Sequence, residues 1–245
     1  DPVAGVMATM HETGHAMYEL GLPAEWAFQP AGEARGMGLH ESQSLLTEMQ
    51  AGRNAAFLPV LARLLREAFG GEGEAWSDDN IRRIYRRVRP SFIRVDADEV
   101  TYPLHVIMRY RIERALVDGE LDVAGIPAAW NELSRELLGI GPPTDTLGCL
   151  QDIHWAMGLF GYFPSYTYGA VAAAQLFAAA TAQNPEILPA LGRGEFGPLL
   201  AWTRANVHSK ASLPPSSDAI IRAATGGPLS AAAFKAHLMA RYLAE

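Results

Sequence analysis

Along most of this chain apolar residues recur three and four positions apart, the period of an amphipathic helix rather than of a strand. Residues 44–69 carry the pattern through Leu58, Leu61, Leu64 and Leu65 to Gly70-Gly71, where a helix stops. Ser77-Asp78-Asp79 supplies the start of a following helix whose stripe is Ile81, Ile84, Tyr85 and Val88. Tyr102 to Leu116, Ala128 to Leu138, Ala170 to Gln183, Pro198 to Val207 and Ser230 to Leu243 read the same way. Pro2 opens a first helix, with Asp1 as its cap and Gly21 at its end. Only Phe92-Ile93-Arg94-Val95 and Leu147 to Leu150 resemble short strands. The expected fold class is all-α with at most a small β element. Without a repeat or a long linker, residues 1–245 read as a single helical domain.

Residues 153–185 contain no Asp, Glu, Lys or Arg, but His154, Gly158, Gly161, Pro164, Ser165 and Gly169 interrupt them. The Ala-rich remainder, Ala170 to Ala182, is shorter than the ~20 residues of a membrane span and reads as a buried core helix. With 49% hydrophobic and 19% charged residues the composition is that of an ordinary globular protein. A net charge of −7 argues against nucleic-acid partners and against general attraction to anionic membranes. Arg82, Arg83, Arg86, Arg87 and Arg89 fall off the apolar stripe of their helix, which suits a solvated face. Gly192-Arg193-Gly194-Glu195-Phe196-Gly197 spells a dinucleotide fingerprint, but it follows Pro189-Ala190-Leu191 rather than a strand and reads as a loop. The single cysteine, Cys149, cannot form an internal disulfide and reads as a packed thiol. The chain opens Asp1-Pro2-Val3, without Met and without the segments of a signal peptide, which reads as a fragment or a processed product.

The chemistry concentrates in His11-Glu12-Thr13-Gly14-His15. On a helix His11 and His15 share a face and can direct two imidazoles at one divalent ion. Glu12 lies roughly 100° round from His11, near enough to take a proton from a metal-bound water without ligating the metal. The competing reading is a helix whose core face is Met7, Met10, Met17 and Leu20, with the histidines on a polar edge. A catalytic zinc needs a third protein ligand. Glu19, Glu25, Glu33, Glu41 and Glu48 follow, and spacing does not choose between Glu33, Glu41 and Glu48. Glu41 sits in His40-Glu41-Ser42-Gln43-Ser44, whose hydroxyl and amide groups could support a ligand.

Further strings accompany this one: Phe92-Ile93-Arg94-Val95-Asp96-Ala97-Asp98-Glu99-Val100-Thr101-Tyr102, Gly148-Cys149-Leu150-Gln151-Asp152-Ile153-His154-Trp155, Gly161-Tyr162-Phe163-Pro164-Ser165-Tyr166 and Ala224-Thr225-Gly226-Gly227-Pro228-Leu229. Together, and along the whole chain, they resemble the carboxypeptidase Taq family of bacterial and archaeal metallopeptidases. The resemblance implies an all-helical, neurolysin-like fold with a deep groove and a cytoplasmic homodimer. It implies one divalent ion, Zn2+ with Co2+ able to substitute, held by His11, His15 and Glu41, and Glu12 as general base. The implied activity is release of C-terminal residues, with broad specificity, from peptides with a free C-terminus. The alternatives are an oligopeptidase or endopeptidase using the same site, or a catalytically weak metal-binding remnant acting as a binding module. Family members are longer and carry His-Pro-Phe and Asp-x-Arg-x-Thr motifs before the metal helix, whereas here ten residues precede His11.

Chemistry then suggests roles for the shared motifs. Arg94 is a candidate clamp for the substrate carboxylate, because a guanidinium grips one bidentately. Its structural alternative is an ion pair with Asp96 or Asp98. Gln151 and Asp152 are further candidates for substrate binding. His154 and Tyr166 are candidates to donate to the oxyanion that develops on the scissile carbonyl, against a plain role as hydrogen-bonded core residues.

Overall fold

The computed structural model describes residues 2–243; Asp1, expected as a helix cap, lies outside them. Among the described residues there are helices and turns and no strand. Two compact units divide the chain. One comprises residues 1–86 and 168–245, the other residues 87–167.

In the first unit α1 (Pro2–Glu19) packs against α2 (Gly36–Leu45), and α2 runs on into a wider π-helical turn over Leu46–Gly52. The single helix expected over 44–69 is therefore two. Its break falls at Asn54, whose Oδ1 accepts from the Ala56 N–H at 3.0 Å and whose carbonyl accepts from Leu58, after which Pro59 sits in the first turn of α3 (Leu58–Phe69). Ser77 caps α4 (Asp78–Tyr85) by accepting from the Asn80 N–H. Ile81 and Tyr85 of its stripe are buried, while Ile84 and Val88 are half exposed.

The chain returns to this unit in α7 (Pro164–Gln183), whose Ala172, Ala173, Leu176, Phe177 and Ala180 are buried in the core as its lack of charge requires. No helix among the described residues is long and apolar enough to cross a membrane. After it come α8 (Ile187–Gly192), α9 (Gly197–Asn206), α10 (Ser217–Thr225) and α11 (Ala231–Tyr242). Periodicity missed α2, α8 and α10, of ten, six and nine residues.

The second unit pairs α5 (Tyr102–Val117) with α6 (Ile126–Leu138) around Met108, Ile112 and Trp130, with Cys149 packed alongside. Neither expected strand forms. Ile93 is extended, but its neighbours pair with a side chain: Gln151 donates to the Phe92 carbonyl and accepts from the Arg94 N–H. Around Leu147 the backbone turns, and the Leu150 N–H reaches the Asp145 carbonyl.

Candidate active site

The inner face of α1 runs through Met7, His11, Gly14, His15 and Tyr18, with Met7, Gly14 and Tyr18 buried. The histidines thus lie on the packed face rather than on a polar edge, and Leu20, which the competing reading put in the core, is 71% exposed. Gly14 makes this possible. A Cβ there would stand 2.4 Å from the Gln43 carbonyl oxygen and 2.6 Å from the Ser44 Cα, so only glycine lets α1 approach α2 so closely. Gly169 of α7 does the same on the other side of Glu41, where a Cβ would meet the Glu41 Cγ at 2.6 Å.

This packing brings His11, His15 and Glu41 together: one candidate ligand atom from each lies within 4.8 Å of the others. The Glu41 Oε2 is 3.7 Å from the His11 Nε2 and 3.5 Å from the His15 Nε2. Ligands held about 2.0–2.2 Å from a tetrahedral ion stand roughly 3.4 Å apart, so these separations suit two imidazoles and a carboxylate that would hold one divalent cation. Ser44 donates to the Glu41 carbonyl at 2.7 Å and lies 3.4 Å from its carboxylate. Gln43, from the same string, faces away. Its amide donates to Ser42, and its oxygen accepts from the buried His208.

Each imidazole is also gripped from behind. The His11 Nδ1 meets the Glu48 Oε2 at 3.0 Å, and a carboxylate there accepts, so Nδ1 carries the hydrogen and Nε2 is left to bind. Glu48 is itself held by Arg53 at 2.5 Å. Burial opposes a charge on His11, but the Glu48 hydrogen bond and the nearby Glu41, Glu48 and Glu12 carboxylates outweigh it in sum and raise its pKa above the usual imidazole value. The His15 Nδ1 meets the His40 Nδ1 at 2.6 Å, and the His40 Nε2 meets the Glu19 Oε1 at 2.7 Å. Glu12 is exposed on α1 next to His11. Of the carboxylates that spacing left open, Glu41 joins the histidine pair, Glu48 orients His11 and Glu33 takes no part in the cluster; Glu19, outside that choice, holds His40. Sequence reasoning gave no role to His40, Arg53 or His208. Glu48 stands seven residues after Glu41, and that spacing was the signal available.

In the second unit the remaining candidates form one cluster, with Arg94 and His154 buried and Gln151, Asp152 and Tyr166 half-buried. Asp152 accepts from Arg94 at 3.0 and 2.8 Å and from Arg109 at 2.6 Å. The partner of Arg94 is therefore Asp152, and not Asp96 or Asp98. Asp98 is occupied with the N–H groups of Arg89, Val100 and Thr101. Gln151 accepts from Arg94 and Arg109 at 2.8 Å each. Arg109, which sequence reasoning did not single out, is fully buried and stacks on Trp130 with its guanidinium 4.5 Å from the ring centroid. Arg94 also donates to the Tyr102 hydroxyl at 2.6 Å and lies 4.8 Å from the Tyr166 ring. The His154 Nε2 and the Tyr166 hydroxyl are 3.0 Å apart. Burial, with the Arg94 charge, lowers the pKa of His154, which favours the neutral ring.

An all-helical scaffold that presents His-Glu-x-x-His on one helix and a glutamate on the next defines a helical metallopeptidase class. The carboxypeptidase Taq (M32) metallopeptidase model matches residues 1–242. The thermostable carboxypeptidase 1 of Thermus thermophilus is 44% identical over 242 residues, covering 98% of this chain and 47% of that protein. Carboxypeptidase 1 of Bacillus subtilis is 42% identical over 225 residues, covering 92% and 45%. The solved structure of Trypanosoma cruzi metallocarboxypeptidase 1 superposes with a TM-score of 0.93 at 41% identity, over 97% of this chain and 50% of that one. This chain belongs to the carboxypeptidase Taq (M32) family, and it spans about half the length of the relatives it matches.

Proposed function

We propose that this chain carries the metal centre of a zinc-dependent metallocarboxypeptidase that removes C-terminal residues from peptides with broad specificity. The observation that supports this most is the convergence of the His11 Nε2, the His15 Nε2 and the Glu41 Oε2 with the opposite imidazole nitrogens already engaged. When bound there, a divalent ion supplies Lewis-acid polarisation of a water and of the scissile carbonyl. Glu12, exposed beside His11, takes the proton from the attacking water and returns it to the leaving amine. Gly14 and Gly169 set the distance between helices that this arrangement needs.

For the exopeptidase choice, the supporting feature is charge. Two buried guanidiniums, Arg94 and Arg109, converge on the carboxylate of Asp152. In this proposal Arg94 recognises the substrate's C-terminal carboxylate, with Asp152 and Gln151 holding the guanidinium in place. His154 and Tyr166 supply donors to the oxyanion. A cytoplasmic homodimer belongs to the same proposal, supported by the family resemblance; light scattering that returns a monomer would remove the dimer.

The test is a release assay on N-blocked peptides with and without C-terminal amidation, run on the zinc-loaded chain and on Glu12→Gln. Free amino acids from the unamidated peptides alone, lost in Glu12→Gln, are the expected result. Internal fragments would redirect the proposal to an endopeptidase. Stoichiometric zinc without turnover would redirect it to a binding module. For Arg94→Lys the planar fork is lost, and kcat/KM falls by about tenfold for each ~1.4 kcal/mol of carboxylate recognition removed.

A further inference from the structure

The two histidines of the centre are held differently, and the difference fixes a role for a residue that is not itself a ligand. His11 is backed directly by a carboxylate, Glu48. His15 is backed by another imidazole, and two facing Nδ1 atoms at 2.6 Å require that one donates and the other accepts. If the His40 Nδ1 donates, His15 carries its hydrogen on Nε2, pointed towards the Glu41 oxygen 3.5 Å away, and has no lone pair to offer a cation there. If the His15 Nδ1 donates, the His40 Nδ1 accepts, and the hydrogen of the His40 ring sits on Nε2. That is where the Glu19 Oε1 waits at 2.7 Å as an acceptor. Only the second arrangement satisfies every group in the row Glu19, His40, His15 while leaving the His15 Nε2 lone pair free.

We infer that His40 is a positioning residue: with Glu19 it holds His15 in the tautomer whose Nε2 can bind a cation. The inference rests on the proposed metal-dependent function and deepens it. His40 is suited to this because its place is set independently of any ion. It lies on α2 one residue before Glu41, and its ring packs on the fully buried Tyr18 at 5.3 Å and on His15 at 4.6 Å. Tyr18 is anchored in turn by the Arg35 N–H, which donates to its hydroxyl at 3.1 Å. A single helical turn thus delivers both a ligand and the group that prepares another ligand. A bridging imidazole extends the familiar carboxylate–histidine–metal arrangement by one ring.

Two readouts on the full chain test this, one of them free of metal. In the chelator-stripped, 15N-labelled protein, long-range proton–nitrogen correlation spectra report the His15 tautomer. The Nδ1–H form is expected in the wild type and in His40→Asn, whose Oδ1 keeps an acceptor near the Nδ1 position, and a mixture is expected in His40→Ala. Zn2+ affinity, by competition with a chromophoric chelator, is expected to fall by about 10–100-fold in His40→Ala and to stay within about threefold of wild type in His40→Asn. A wild-type His15 protonated on Nε2 would overturn the inference, as would zinc binding in His40→Ala equal to wild type. A wild type with the Nδ1–H tautomer but no stoichiometric zinc would instead reject the metal reading, and with it the role assigned to His40. Should His40→Ala lose its fold by circular dichroism, Glu19→Ala carries the test with His40 in place. A mixed His15 tautomer then supports the relay and an unchanged one overturns it.

Discussion

The carboxylate of Glu48 stands 3.0 Å from the His11 Nδ1 while its other oxygen meets the Arg53 guanidinium at 2.5 Å. Glu48 is seven residues beyond Glu41 on the same helical run, and the π-helical turn that begins at Leu46 carries it behind His11. Such turns recur at functional sites because they re-aim a side chain without ending the helix. Glu48→Ala is therefore expected to keep metal binding but weaken it by about 10–100-fold, whereas Glu41→Ala loses it. Competition titrations of the two variants decide the assignment; an order reversed between them would make Glu48 the ligand and Glu41 its support.

Two glycines test the backbone side of the site. An alanine at Gly14 places its Cβ 2.4 Å from the Gln43 carbonyl oxygen, and one at Gly169 places it 2.6 Å from the Glu41 Cγ. Neither neighbour can yield without moving α2. Gly14→Ala presses on backbone and is expected to cost about 1–3 kcal/mol of stability, in the range of overpacked cores. Gly169→Ala presses on Glu41 itself, so its metal affinity should fall more than its stability. Urea unfolding and zinc titration of both variants check this, and wild-type behaviour in both measurements would show the contacts to be soft.

How much of this was legible in the sequence follows from how local each feature is. The i, i+4 histidine pair is set by helix geometry alone, and Ser77 and Gly70 mark helix ends through hydrogen bonds within a few residues. The all-helical class could be read for the same reason. Partnerships across sequence could not. Asp152 is 58 residues from Arg94, and His208 is 165 residues from Gln43, so Asp96 and Asp98 looked like nearer partners than they are. The false strand at Phe92 to Val95 has a related cause: an extended backbone satisfied by the Gln151 side chain carries the same residue preferences as one satisfied by a neighbouring strand. The six residues of α8 hold too few turns for periodicity to register, and α2, with Gly36, Gly38, His40, Glu41, Ser42, Gln43 and Ser44 among its ten, carries no apolar stripe to read.

The arginine cluster carries a stability prediction separate from any role with substrate. Arg109 is fully buried and Arg94 is 6% exposed, and both lean on Asp152. Burial opposes ionisation of Asp152, but the two guanidiniums outweigh it and hold its carboxyl below the usual carboxylate range. Its contribution is therefore present at neutral pH and lost only as pH falls through that lowered value. Asp152→Ala leaves two buried cations uncompensated and is expected to cost about 3–5 kcal/mol. Asp152→Asn keeps an acceptor and should cost less. Denaturant midpoints at neutral pH measure both, and equal losses would mean that the hydrogen bonds matter little beside the charge.

His208 makes the clearest pH prediction in the first unit. The ring is buried against Tyr18 and packed over Gly21, and its Nε2–H donates to the Gln43 oxygen at 3.0 Å. Its Nδ1 has no hydrogen-bond partner, so nothing nearby rewards a second proton. Burial, helped by the Arg204 charge, pushes its pKa down from 6.5 to about 4. Above pH 6.5 the ring is neutral in both folded and unfolded chains and adds no pH dependence. Between about 6.5 and 4 the unfolded chain binds the proton and the folded one does not, so stability declines as pH falls through this window. The slope is at most about 1.4 kcal/mol per pH unit, near 3 kcal/mol in all. A glutamine at this position can retain a donor to Gln43 without titrating. The stability of metal-free wild type minus that of His208→Gln, followed by urea unfolding from pH 7.5 to 4.5, should fall steadily below pH 6.5. The difference cancels the protons taken up by all other groups, which both proteins share. Parallel pH curves for the two proteins would mean that His208 protonates in the folded chain as readily as in the unfolded one.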